Sequence, residues 1–118
     1  MKAGSLLIGS GLFFIAHLLT FFQLNGQFLK IDWFRKNQII VILFGAVLSI
    51  FYVLGTKYVV DGTGGLLWPT RFIGFGIGMI SYALCVSYFF KEGINIKTWV
   101  SLGLSLILVS IQVFWKTK

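Results

Sequence analysis

Apolar positions along the chain gather into four long blocks separated by short polar stretches. The blocks run from Gly4 to Phe22, Ile39 to Thr56, Leu66 to Phe90 and Thr98 to Trp115. Each is close to the roughly 20 residues that an α-helix needs to cross a hydrocarbon core of about 30 Å. The pattern predicts an all-α membrane protein. Its four transmembrane helices would form one compact bundle over residues 1–118. The connector Lys91–Lys97 is short enough to allow only antiparallel neighbours, so the third and fourth helices are expected as a tight hairpin.

The connectors carry their own signals. Asn25-Gly26 marks a turn. The stretch Phe28–Phe34 alternates weakly, as a short amphipathic piece lying in the membrane interface would. Lys57–Gly65, which includes Gly62, Gly64 and Gly65, reads as a polar turn. It lacks the Gly-Lys-Ser/Thr ending of a phosphate-binding loop. Lys2 ahead of the first block resembles the basic start of a signal peptide. No small-x-small cleavage site follows it, so the first block is expected to remain as a helix. Pro69 falls in the first turn of the third block, where its missing N–H is tolerated.

Composition strengthens the membrane reading. Hydrophobic residues make up 58% of the chain and charged residues only 11%, against about 25% charged in soluble domains. Trp33, Trp68, Trp99 and Trp115 all stand at or just outside block ends, where indoles sit at headgroup level. The lone Cys85 lies within an apolar block and cannot form an internal disulfide. There is no His/Cys cluster for a metal, and no cofactor is expected. The net charge is +7, but the basic residues are dispersed over termini and loops. They suit anionic lipid rather than nucleic acid.

Within the blocks, small and polar residues recur at helical spacing. Gly45, Ser49, Tyr52 and Thr56 form one stripe, expected to face protein, where hydroxyls can bond across helices. Gly74 and Gly78 form a small-xxx-small pair on the face that also carries Arg71 and Tyr82. Gly76 points the other way and leaves room for a second close neighbour. In the fourth block Ser101, Ser105 and Gln112 share one face, and Gly103 and Ser110 another. His17 is the only titratable side chain of the first block and shares a face with Ser10 and Thr20. It is either a central site residue, able to exchange protons near neutral pH, or an interhelical hydrogen-bond partner of Ser, Thr or Tyr. Arg71 either snorkels to the membrane edge or points inward to an anion or carbonyl.

Four spans place both termini on one side. That side would carry Lys2, Lys57, Arg71, Lys116 and Lys118, and the other Lys30, Arg35, Lys36, Lys91 and Lys97. The balance sets no orientation. It fits a chain that inserts both ways and pairs as an antiparallel dimer, and it is also what an accidental near-tie in a small protein gives.

The last hairpin, YFFKEGINIKTWVSLGLSLILVSIQVFW, resembles that of the small multidrug resistance proteins of the drug/metabolite transporter superfamily. The resemblance spans most of the chain but is weak residue by residue. Gly76 and Gly78 fall on the glycines of that family's third-helix signature. Ile15-Ala16-His17-Leu18 lies where its first helix carries an essential glutamate. Arg71 replaces a substrate-contacting tyrosine and Gly74 a tryptophan. The resemblance implies a dimer joined through the fourth helix, with Gly103 and Ser110 as the small-residue pair. It does not extend to cation export, because no acidic residue lies within any block.

Two functions follow as expectations. One is a transporter-like dimer or oligomer in a bacterial-type inner membrane, moving a small anionic or phosphate-bearing solute or lipid. His17, Arg71, Tyr52 and Tyr82 would line its site. The other is a non-transporting scaffold or accessory subunit assembled with other membrane proteins. An enzyme is not expected, since Asp32, Asp61 and Glu92 all lie in loops.

Overall fold

The structure, a computed structural model, describes residues 2–115. Lys116 and Lys118, counted above on the terminal side, lie outside the described residues. Among the described residues, six α-helices follow in order: α1 (Ala3–Asn25), α2 (Trp33–Lys36), α3 (Gln38–Leu43), α4 (Gly45–Gly62), α5 (Trp68–Cys85) and α6 (Ile96–Phe114). A 3-10 turn at Gly26–Phe28 extends α1, and a π-helical turn at Val86–Phe90 extends α5. Among the described residues, four stretches are long and apolar enough to span a bilayer: Ala3–Phe28, Gln38–Gly62, Trp68–Phe90 and Ile96–Phe114. The chain is thus an all-α, multi-pass membrane protein whose four spans pack as a bundle.

The second span is longer than its sequence pattern suggests. Lys57 and Asp61 had placed a connector after Thr56, yet α4 continues to Gly62. Tyr58, Val59 and Val60 hold the helix on, and Val59 is completely buried. Asp61 is tied at this end of the molecule by Ser5 Oγ at 2.7 Å and Lys2 Nζ at 3.1 Å. The Lys2 N–H donates to the Gly62 carbonyl at 2.8 Å. The chain then reverses through Gly64 and Gly65, whose φ values of 77° and 89° suit only glycine. Pro69 occupies the first turn of α5, as expected.

Helix α1 lies at the centre. It runs antiparallel to α4, in close contact from Leu6 against Gly62 to Gln23 against Gly45. It runs parallel to α5, with Phe13 meeting Gly74, His17 meeting Gly78 and Phe21 meeting Tyr82. Helix α6 folds back on α5, where Val109 fills the space over Gly76. The core is correspondingly small: Phe13, Val59 and Ile73, flanked by Leu6, Tyr52, Ile77, Val109 and Val113.

Three glycines bring α1 and α4 together. A Cβ at Gly9 would stand 2.7 Å from the Val59 nitrogen, and one at Gly62 would stand 2.7 Å from the Leu6 nitrogen. A Cβ on Gly55 would strike the Phe13 ring at 2.8 Å. Lipid offers no hydrophobic drive between helices, so this backbone proximity is what holds the pair. The packing face of α4 therefore runs through Leu48, Gly55, Val59 and Gly62. This corrects the stripe read from sequence: Gly45 and Tyr52 are part-buried, but Ser49 and Thr56 are exposed. Ser49 returns its hydroxyl to the Gly45 carbonyl at 3.0 Å and needs no partner across a helix.

Candidate functional site

Three polar residues of the spans, His17, Thr20 and Tyr52, meet at one crossing. Thr20 of α1 and Tyr52 of α4 share a hydrogen bond of 2.7 Å. The Tyr52 hydroxyl also lies 3.5 Å from His17 Nδ1, at the limit of hydrogen-bond reach. The imidazole stands edge-on to the Tyr52 ring, with centroids 5.4 Å apart. On its other side it packs against Gly78 of α5, where a Cβ would stand 2.9 Å from the ring. Glycine at this position is what lets a ring as large as imidazole sit between three helices. Ser10 and Thr20 share the face predicted for them, but only Thr20 joins the cluster.

The other predicted site residues lie elsewhere. Arg71 is exposed in the first turns of α5. It is about 10 Å below Gly78 by helical rise, so it is not brought to His17. Tyr82 is 49% exposed. Its ring packs edge-on to Phe21 at 5.6 Å. It also borders a groove of about 410 Å³ at the α5–α6 turn, with Ser87, Glu92, Asn95 and Thr98. The Ser87 hydroxyl is buried there without a partner among the described residues. Of the packing glycines, Gly78 and Gly76 make close approaches to α1 and α6, and Gly74 makes ordinary contact with Phe13. Gly103 has open space around it, and Ser110 is exposed.

Sequence reasoning did not find Gln23. Its side-chain amide donates to the Val41 carbonyl at 3.1 Å, where α3 gives way to α4. Gly45 leaves the room for it, since a Cβ would stand 3.2 Å from that nitrogen. Only the polar character of Gln23, at the end of an apolar block, could have pointed to it. Several other hydroxyls bond a carbonyl three or four residues earlier in the chain: Thr70 to Leu66, Ser81 to Gly78, Ser101 to Lys97 and Ser105 to Ser101. Among the described residues, the Thr20–Tyr52 bond is thus the shorter of the two side-chain contacts that Tyr52 makes across to α1 near the middle of the bundle.

Replacing Tyr52 by Phe removes both of its contacts and is expected to cost about 1 kcal/mol, the range of interhelical side-chain bonds in bilayers. A cycle with Thr20→Val and Tyr52→Phe, followed by unfolding in mixed micelles, measures the coupling. Strictly additive losses would mean that the 2.7 Å bond contributes nothing.

These features define a multi-pass integral membrane protein with a histidine–tyrosine–threonine cluster at its central crossing. No family model, curated protein or solved structure matches the chain.

Proposed function

We propose that the protein works by lateral association in the membrane, as a scaffold or accessory subunit whose α6 pairs with a helix of a second chain. The supporting observation is the one-sided packing of α6. It rests on α5, and Ser105 is its one buried residue. Leu104, Ile107, Ser110, Ile111 and Phe114 are exposed, and Gly103 has nothing within 4 Å. Gly103 and Ser110 stand two turns apart and would let a second helix approach closely. A transporter for anions would need Arg71 and His17 in one site, and they lie apart along the bundle. The cluster at His17 is the one observation favouring transport, because it places an ionisable side chain among hydroxyls inside the bundle.

The test is cross-linking in native membranes. With Cys85 replaced by Ala, cysteine at Ser110 is expected to give a discrete cross-linked species. Cysteine at Val53, exposed on α4, is expected to give none. Equal cross-linking at both positions sinks the assembly reading. Solute flux in proteoliposomes that His17→Ala abolishes, with the protein still folded, would establish the transporter instead.

A further inference from the structure

The connector between the first two spans builds a site of its own. Phe34 closes it: its ring lies over Gly26, where a Cβ would be 2.6 Å away. This contact folds α2 back onto the ends of α1 and α3. An almost wholly apolar groove of about 360 Å³ opens beneath it. Leu19 and Phe22 of α1, Trp33 and Phe34 of α2, and Ile40 and Phe44 form its walls. It runs from Trp33, at the level where indoles meet headgroups, inward to Leu19 and Phe44.

A second recess of about 250 Å³ adjoins it and shares Phe34, Gln23 and Val41. Here Gln27 and Gln38 join Gln23 in a lining that also holds Leu24 and Ile42. Gln38 Nε2 donates to Gln27 Oε1 at 3.3 Å, and Gln27 Nε2 donates to the Leu24 carbonyl at 3.0 Å. The same connector carries three basic residues. Arg35 is already paired with Asp32. Lys30 and Lys36 are exposed, and neither takes part in an ion pair among the described residues.

We infer that this groove binds an anionic phospholipid, with one acyl chain between α1 and α3, its ester and glycerol oxygens at the glutamine recess, and its phosphate at Lys30 and Lys36. An apolar groove adjoins a recess that holds glutamine amides, and the connector that supplies Trp33 and Phe34 to its wall also carries the exposed Lys30 and Lys36, so apolar, amide and cationic groups are all supplied for such a lipid. A helix from a second chain would use the groove but leave the two lysines without a role. A zwitterionic lipid would use the groove and gain little from a surplus of positive charge. Each lysine near an anionic headgroup strengthens binding severalfold.

The experiment is lipid retention by the full chain, purified in mild detergent from vesicles of equal phosphatidylglycerol and phosphatidylcholine and read by native mass spectrometry. Phosphatidylglycerol is expected to be retained about tenfold over phosphatidylcholine. Lys30→Gln with Lys36→Gln should bring the two to parity without changing thermal stability. Ile40→Trp, which fills the groove, should lose both lipids. Lys91→Gln with Lys97→Gln, on the other connector of the same side, should leave the preference intact. Parity in the unaltered protein overturns the inference. So does a preference that survives loss of Lys30 and Lys36, or one that falls equally with Lys91 and Lys97.

Discussion

Gly62→Val and Gly9→Val should each separate α1 from α4, and their effects should be the largest of any single substitutions in the protein. At both positions the new side chain would meet backbone as well as side chain: a Cβ at Gly62 would stand 2.7 and 2.9 Å from the Leu6 nitrogen and Cα, and one at Gly9 would stand 2.5 Å from Val59 Cγ2 and 2.7 and 2.9 Å from the Val59 nitrogen and Gly55 oxygen. Backbone in a helix cannot step aside locally, so the axes must move apart. Overpacking of an interior costs about 1–3 kcal/mol where side chains can adjust, and about 3 kcal/mol or more is expected here. The separation would also break the Lys2–Gly62 bond and the Thr20–Tyr52 bond, which depend on the same pairing. Gly11→Ala serves as the matched control, because nothing lies within 4 Å of that position. Unfolding in mixed micelles gives the comparison. If Gly62→Val loses no more than Gly11→Ala, the close α1–α4 approach does not hold the fold.

The second large effect is expected at Gly76, and it should be reversible. A Cβ there would stand 2.5 Å from Val109 Cγ2. Val109 is β-branched and held in one rotamer on a helix, so it cannot swing clear. Gly76→Ala should therefore push α6 off α5 at a cost of about 1–3 kcal/mol, while α1 and α4 stay paired. Val109→Ala removes the offending methyl, and the double variant should recover most of the loss. A cysteine placed at Ser105, the buried position on α6, should become reactive to maleimide in Gly76→Ala and protected again in the double variant. Additive losses, or a Ser105 position that stays protected throughout, would show that α6 is held some other way.

The spans were legible in the sequence because length and apolarity are all that a bilayer requires of a helix. Pro69 in the first turn of α5 and the short final hairpin were legible for similarly local reasons. The boundary after Thr56 was not. Lys57 and Asp61 look like a membrane exit, but Val59 between them is buried against Gly9, a contact with a residue fifty positions away. The rotation of α4 was missed for the same cause. Its stripe of Gly45, Ser49, Tyr52 and Thr56 has the right spacing, yet Ser49 satisfies itself on its own helix. The true face is set by Gly55 and Gly62, whose value appears only once Gly9 and Leu6 of α1 are opposite them. The split roles of Gly76 and Gly78 were readable from their opposed directions on one helix. The meeting of His17 with Tyr52 was readable only as a choice among hydroxyl partners, because nothing in either helix alone sets their relative height. Arg71 and Tyr82 share a face with Gly78, but sharing a face does not bring residues about three turns apart to one site.

The four spans also differ in length, and the membrane will feel the difference. At 1.5 Å per residue, the 19 residues of Ile96–Phe114 reach about 28 Å, whereas the 26 of Ala3–Phe28 reach about 39 Å. A hydrocarbon core of about 30 Å fits the first nearly upright and obliges the second to lean or protrude. A thicker bilayer therefore relieves α1 and strains α6. Since α6 is braced mainly by α5, the protein would register bilayer thickness first as the standing of its outermost helix.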